Sequence, residues 1–294
     1  MAKEKFREKL HLSPKNKKQL EVINEIIDEY AAEGYKLTLR QLYYQLVSRD
    51  IIPNKQSEYA KLSNLLVKGR MAGVVDWEAI EDRIRVPFIP YWVHGVKDAI
   101  DDTISQYRLD RQDEQEVYIE LWVEKDALSG VLKRITSHYH INLMVNRGYS
   151  SCTAMHDAYK RFRTQAIANE KKIVILYLGD HDPSGLDMIR DIRDRLFEFG
   201  VDVTVKPIGL TMAQIKQYNP PPNPAKITDP RAKDYIEEHG NTSWEVDALN
   251  PKVLHQLVRT NVEGMIDMGL FEEMLEKEKE HKKELERLRE ESKK

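Results

Sequence analysis

The sequence predicts a chain of mixed class: an α+β N-terminal module, an α/β domain built on a mostly parallel sheet, and a helical C-terminal tail. Three observations carry this reading. Three helical periodicities fall within residues 1–75, strand and helix patterns alternate from residue 117 onward, and residues 271–294 form a charged helical pattern. With 294 residues, the chain is long enough for two domains.

In order, Ser13-Pro14 reads as a helix N-cap followed by proline in the first turn, where its missing N–H has no intrahelical partner to lose. Leu20, Ile23, Ile26, Ile27 and Tyr30 then share one helical face, and Gly34 ends the run. Thr38-Leu39-Arg40-Gln41 has capping-box spacing and opens a second helix, whose apolar stripe is Leu39, Leu42, Tyr43, Leu46 and Val47. Ile52-Pro53-Asn54 breaks the chain. A third helix starts near Ser57, turns Tyr59, Leu62, Leu65 and Leu66 inward, and stops near Gly73. Three short helices and a strand-like stretch at 83–86 predict a winged helix-turn-helix over residues 1–90.

Pro87 and Pro90 mark a linker, and a helix over about 96–107 follows, so residues 91–115 join the modules. Strands are expected at 117–123, 141–145, 173–178 and 201–205. Between them lie helices carrying Leu128, Val131, Leu132 and Ile135, then Ala154, Ala158, Tyr159 and Phe162, then a helix over 184–199. This alternation indicates a parallel sheet covered on both faces, with its core in residues 116–210. In the extension 211–294, the four prolines of 218–224 read as a stiff extended loop. Asp229-Pro230 and Asn250-Pro251 look like helix starts. The tail 271–294 has 9 acidic and 8 basic residues around a thin stripe of Phe271, Met274, Leu285 and Leu288, the pattern of a solvated helix. No internal repeat is visible.

Composition narrows the function classes. Hydrophobic residues are 41% and charged residues 32%, a balance for a soluble globular chain rather than a disordered one. No apolar run approaches the roughly 20 residues that span a bilayer, and the charged N-terminus lacks the apolar region of a secretory signal. One cysteine, Cys152, excludes an internal disulfide and a Cys-x-x-Cys zinc site. A cytoplasmic location is expected. The net charge of −3 is not that of an indiscriminate nucleic-acid binder. Residues 1–75, however, hold 14 Lys or Arg against 9 Asp or Glu, so the acidic excess lies downstream. A basic module before an acidic one suits an enzyme that grips phosphates with the first and does metal chemistry with the second; ordinary surface variation gives the same numbers.

Asp180-His181-Asp182 directly follows the apolar strand 173–178, and Glu124 directly follows strand 117–123. In a parallel sheet both positions fall at the C-terminal edge, where open α/β folds bind ligands. Residues two apart in extended chain project to one side, so Asp180 and Asp182 can aim at one point that Glu124 also reaches. Gathered carboxylates either take up protons or hold a cation, and an all-oxygen set favours Mg2+ or Mn2+. The alternative is local capping. On that reading Asp182 before Pro183 is just a helix N-cap with proline after it, and Asp126 caps the helix after Glu124.

On the second helix Tyr44 lies about 100° from the apolar stripe, four residues after Arg40, which places the two side by side on the expected exposed flank. A phenol can attack a backbone phosphate while a guanidinium steadies the phosphoryl oxygens. The alternative is an amphipathic tyrosine at the edge of the core.

These segments resemble the A subunits of topoisomerase VI and their meiotic break-forming relatives. Val123-Glu124-Lys125-Asp126-Ala127, Arg147-Gly148-Tyr149 and Gly179-Asp180-His181-Asp182-Pro183-Ser184-Gly185 follow the order of that family's Val-Glu-Lys, Gly-Tyr-Pro and Asp-x-Asp-Pro-x-Gly Toprim segments, with Ser150 in place of proline. Thr38-Leu39-Arg40-Gln41-Leu42-Tyr43-Tyr44 resembles the catalytic stretch of its CAP-like winged-helix domain, Arg-Asp-aliphatic-aromatic-Tyr, with Gln41 in place of aspartate.

The resemblance covers roughly residues 38–210. It implies Mg2+, with Mn2+ able to substitute, on Glu124, Asp180 and Asp182. It also implies Tyr44 as the nucleophile with Arg40 beside it, and double-strand breaks made through a phosphotyrosyl intermediate. Expected DNA contacts are Lys61, Lys68 and Arg70, with Lys125 and Arg147 near the carboxylates. In the family the tyrosine of one protomer meets the metal site of the other, which implies a homodimer. No Gly-x-x-x-x-Gly-Lys loop is present, so ATP hydrolysis would belong to a separate GHKL-type subunit. Two rival readings are a hydrolytic Toprim nuclease without a covalent intermediate and a non-catalytic DNA-binding protein.

Overall fold

A computed structural model describes residues 4–7, 12–81, 90–146, 148–225 and 227–291. The strand expected at 83–86, Pro87 and Arg147 lie outside the described residues. Among them, no helix is long and apolar enough to cross a membrane.

Helices α1 (Pro14–Ala32), α2 (Leu39–Ser48) and α3 (Gln56–Met71) form the N-terminal module. Their caps are those the sequence announces. Ser13 accepts from the Asn16 N–H, and Thr38 and Gln41 cap each other's backbone reciprocally. The expected apolar stripes of α1, α2 and α3 meet in one core. Strand β1 (Leu37–Thr38) pairs in parallel with β2 (Ile80–Glu81), a contact the sequence did not announce.

After α4 (Val96–Gln106), a four-stranded sheet in the order β4-β3-β5-β6 runs parallel throughout. Its strands are β3 (Val117–Val123), β4 (Asn142–Val145), β5 (Lys172–Leu178) and β6 (Thr204–Gly209). The class is therefore α/β, with a parallel sheet. Side-chain alternation divides β3 and β5 between two cores. Ile119, Leu121, Val123, Val174, Leu176 and Leu178 pack under α5 (Ser129–Tyr139) and α10 (Pro251–Glu263). Tyr118, Trp122, Ile173, Ile175 and Tyr177 face α6 (Cys152–Gln165) and α7 (Pro183–Glu198).

Three expectations need correction. Strand 201–205 is displaced: Val201 and Val203 are buried in coil, and β6 begins at Thr204, where pairing with Val174 of β5 starts. Pro207 is tolerated because β6 is an edge strand. The proline-rich loop contains β7 (Asn223–Pro224), which pairs antiparallel with β8 (Thr242–Ser243). The charged tail is also not simply solvated. Helix α8 (Met212–Tyr218), α9 (Ala232–His239) and α10 precede α11 (Met268–Glu291), which buries Phe271, Met274 and Glu278. Glu278 is held there by Arg111 at 3.1 Å, and Arg289 pairs with Asp101 of α4 at 2.6 Å.

Candidate active site

The strand ends place the acidic residues. Glu124 follows β3, and its backbone N–H donates to Leu178 O at the end of β5, so it stands beside the Gly179–Asp180 turn. The Asp180 N–H donates to Glu124 Oε2 at 3.1 Å. Two glycines in the motif answer to close approaches. A Cβ on Gly179 would lie 2.4 Å from the Tyr177 ring, and one on Gly185 would lie 2.3 Å from Asp180 O. The first turn of α7 can therefore sit directly on the backbone of Asp180.

Asp180 is buried, and Lys125 Nζ lies 2.6 Å from its Oδ2 and 3.9 Å from Glu124 Oε1. Burial and the Glu124 charge push the Asp180 carboxyl well above the usual carboxylate range, with Lys125 pulling the other way. Burial also works against the Lys125 ammonium, but Asp180 outweighs it and raises Lys125 above its usual range. Asp182 is placed differently. Its Oδ1 accepts from the Gly185 N–H at 2.7 Å and from Ser184 Oγ at 2.9 Å, as the N-cap of α7.

The fit to a cation is accordingly partial. Glu124 and Asp180 converge on one cationic point, which the Lys125 ammonium takes. Among the described residues no three His, Cys, Asp or Glu side chains are gathered as a metal-binding group. The buried Tyr177 Oη has no hydrogen-bond partner among the described residues and feels the charges of Glu124, Asp180 and Asp182. A buried polar group without a protein partner is the kind that a hydrated ion satisfies.

Sequence reasoning missed two members of the site, Glu245 and Asp247. Trp244 and His181 exchange backbone hydrogen bonds of 2.8 and 3.1 Å in an antiparallel bridge, which lays 244–247 along the Asp180 turn. The Val246 N–H then donates to Asp180 Oδ1 at 3.0 Å. Tyr235 braces the same turn, its hydroxyl lying 2.9 Å from His181 Nδ1. Glu245 and Asp247 repeat the two-residue spacing of Asp180 and Asp182, but only the bridge brings the two pairs together.

Arg40 joins the helical module to this acidic edge. Its Nε lies 2.6 Å from Asp247 Oδ2, and its Nη2 bonds both Glu245 Oε2 and Tyr44 Oη, the latter at 3.3 Å. Glu245 Oε2 in turn lies 3.9 Å from Lys125 Nζ. Tyr44 is therefore not on an exposed flank. It is only 4% exposed, because Asn223 and the 245–247 segment close over that side of α2. Burial and the Asp247 charge push its phenol up to about 12, against the pull of Arg40 and an Asn223 hydrogen bond. Tyr43 is in the core as expected, with its hydroxyl on Asn54 Oδ1 at 2.9 Å. A cavity of about 390 Å³ opens beside the tyrosines, lined by Arg40, Tyr59, Asn54, Asn223 and Glu245 among others.

The expected DNA contacts separate. Lys61 and Lys68 line a cleft of about 810 Å³ between α1 and α3 that also holds Lys15 and Lys18. Arg70 is used inside the module: it donates to Trp77 O and Ile80 O at 3.1 and 2.5 Å and lies over the Trp77 ring. Lys125 faces Asp180 rather than the cleft.

Comparison of the chain with protein-family models, with curated proteins and with solved structures returns no match in any of the three.

Proposed function

We propose that this chain is a winged-helix and Toprim protein that cleaves DNA by tyrosine transesterification, in the manner of a topoisomerase VI A subunit. The observation that carries the reading is the contact path Tyr44–Arg40–Glu245–Lys125–Asp180, which ends at the C-terminal edge of a parallel sheet.

In the reaction the Tyr44 oxygen bonds to a backbone phosphorus, and the bond from that phosphorus to a sugar oxygen breaks. The phenolic proton passes through solvent to the departing sugar oxygen, which leaves as a hydroxyl, and a phosphotyrosyl ester remains. Arg40 neutralises charge on the phosphoryl oxygens. Glu124, Asp180 and Asp182 would hold Mg2+ or Mn2+, which when bound polarises the phosphodiester and stabilises the departing oxygen. Lys15, Lys18, Lys61 and Lys68 supply cationic partners for the DNA backbone in their cleft. A homodimer would address the two strands of a duplex, and a GHKL-type ATPase subunit would supply ATP-driven gating.

One observation favours the hydrolytic nuclease as the second reading. Tyr44 is buried and its phenol is held at about 12, far from a free phenolate at neutral pH. The deciding experiment incubates end-labelled DNA with the protein and Mg2+ or Mn2+, then runs a denaturing gel. Protein-linked label that disappears with Tyr44→Phe is the expected result. Free-ended cleavage by the Tyr44→Phe protein would replace transesterification with hydrolysis, and no metal-dependent cleavage at all would leave a DNA-binding protein.

A further inference from the structure

We infer that the seam between the N-terminal module and the α/β domain carries an anion site, in which Arg134, Arg259 and Lys252 bind a ligand bearing phosphate groups. The site shares no residue with the acidic edge or with Tyr44 and Arg40, and it stands independently of the transesterase reading.

Spacing on two neighbouring helices puts the basic side chains together. On α5, Arg134 and His138 lie four residues apart. On α10, Lys252, His255 and Arg259 follow at intervals of three and four, so each set occupies one helical face. The two helices pack against each other, and His255 Nε2 lies 3.0 Å from Val131 O of α5. The turn after α1 supplies the third wall. There Gly34 has φ +79°, and a Cβ on it would lie 2.8 Å from Arg134 Nη1. The bare backbone lets the guanidinium lie against the turn, where Nη1 also donates to Glu33 O at 3.4 Å. Tyr35 sets its ring edge-on to His255, with centroids 5.3 Å apart. These walls bound a cavity of about 490 Å³, within the roughly 300–1,000 Å³ of small-ligand pockets.

Charge decides the ligand. Among the described residues the one carboxylate lining the cavity is Glu33, and it pairs with Lys252. Glu263, one turn beyond Arg259, takes the Tyr139 hydroxyl at 2.6 Å and does not line the cavity. Arg134 and Arg259 therefore line it without a carboxylate partner there. By contrast, Arg111, Arg161, Arg195, Arg231 and Arg289 each pair with a carboxylate. The histidines register the excess of positive charge. Burial lowers the His255 imidazole, its bond to Val131 O raises it, and Arg134 and Arg259 lower it again. His138 is lowered by burial, then by Arg111 and Arg259, with Glu263 opposing. Two guanidinium forks and an ammonium on one cavity match the paired acceptor oxygens of phosphate. Such a ligand touches both modules, so its binding stabilises them together. The chemistry is the same whether the phosphates belong to a DNA backbone or to a free oligophosphate.

Pyrophosphate is the probe, titrated calorimetrically into the protein without Mg2+, so that metal chelation does not enter. Wild type should bind it, and Arg134→Ala/Arg259→Ala should lose about 10-fold or more in affinity, the worth of a charge-assisted contact. Both arginines are exposed, so the fold should survive their loss. Arg134→Lys/Arg259→Lys should recover part of the affinity, because it keeps the charge without the planar fork. Lys15→Ala/Lys18→Ala/Lys61→Ala/Lys68→Ala, which alters only the other cleft, should bind as wild type does. In NMR titrations, the His138 and His255 rings should protonate at higher pH when pyrophosphate is present, because an anion favours the imidazolium. The site is overturned if wild type binds no pyrophosphate, if the double alanine variant binds it equally well, or if the four-lysine variant abolishes binding.

Duplex binding at several salt concentrations then identifies the source of the phosphates. A DNA backbone in the pocket predicts that Arg134→Ala/Arg259→Ala also reduces the slope of log affinity against log salt by about 2, one for each lost contact. A free oligophosphate predicts unchanged duplex affinity and slope while pyrophosphate binding is lost. Either result keeps the site, and neither depends on whether Tyr44 forms an adduct.

Discussion

Arg40 and Asp247, 207 residues apart in sequence, meet at 2.6 Å, and the carboxylate side of this pair has no exposure to solvent. A buried carboxylate stripped of its cation costs more than the pair itself is worth, because the remaining charge keeps its desolvation penalty. Arg40→Ala should therefore destabilise the fold by about 2–3 kcal/mol, discounted for the partial exposure of the arginine. Asp247→Asn, which removes the buried charge, should cost less. Urea denaturation of the two variants checks the order, and equal or reversed losses would mean that the pair does not hold the modules together.

The carboxylates at the sheet edge should respond unequally to Mg2+. Glu124 and Asp180 face one point that the single charge of Lys125 neutralises only in part, so Mg2+ bound there should raise the melting temperature of the wild-type protein by relieving the remaining repulsion. Glu124→Gln combined with Asp180→Asn should abolish that rise. Asp182→Ala should cost about 1 kcal/mol even without Mg2+, because it also removes the N-cap of α7. Asp182→Asn keeps a capping side chain and should cost less. Thermal melts across an Mg2+ titration separate these effects; an undiminished rise in the double variant would place the metal elsewhere.

Acid should loosen the C-terminal helix first through Glu278. Burial pushes this carboxyl up, but hydrogen bonds from Lys282 and the Leu109 N–H, with the Arg111 charge, outweigh it and hold it at about 2. A carboxyl depressed in the folded state stabilises the protein fully above its unfolded value, near 4.5, and the contribution fades as pH falls toward 2. The loss over that window should approach about 3 kcal/mol, since each tenfold change in proton affinity is worth about 1.4 kcal/mol. Glu278→Gln should be less stable than wild type at pH 7, with the gap narrowing toward pH 3. Parallel losses in the two proteins from pH 5 to 3 would assign the acid sensitivity to other carboxylates.

Local signals were the most legible part of the fold. Ser13, the Thr38–Gln41 box, Asp182 and Asn250 all cap the helices expected of them, because a cap needs only its next few residues. The runs 117–123 and 173–178 were readable as buried strands because a sheet covered on both faces admits few polar residues. The exception, Glu120, is wholly buried and fully engaged: Arg161 grips it at 2.8 and 3.0 Å, and Trp122 Nε1 donates at 2.8 Å. No periodicity rule announces such a partner.

The burial of Tyr44 was invisible for a related reason. The helical wheel placed it off the stripe of α2, and what covers it comes from Asn223 and the 245–247 segment. Likewise the alternating valines 201–205 suggested a strand, but the register along β5 starts the pairing at Thr204. In each case a partner distant in sequence decides the outcome.

The lysine cleft and Arg70 make opposite predictions from neighbouring positions on α3. Lys68 lines the cleft with Lys15, Lys18 and Lys61, whereas Arg70 is turned inward onto the carbonyls of Trp77 and Ile80. Burial lowers the Arg70 guanidinium from its usual range, yet two backbone acceptors hold it in place. If the cleft tracks a phosphate backbone, Lys68→Ala should weaken DNA binding about equally for all sequences. It should also reduce the slope of log affinity against log salt by about 1, the signature of one lost phosphate contact. Stability should barely change, because the side chain lies at the surface of the cleft. Arg70→Ala should instead leave the Trp77 and Ile80 carbonyls without a donor and cost about 1–3 kcal/mol of stability. Its salt slope should match wild type wherever the variant remains folded. Fluorescence anisotropy with a labelled duplex at several salt concentrations, beside urea denaturation, distinguishes the two residues. An unchanged salt slope in Lys15→Ala/Lys18→Ala/Lys61→Ala/Lys68→Ala would remove the cleft from the DNA path.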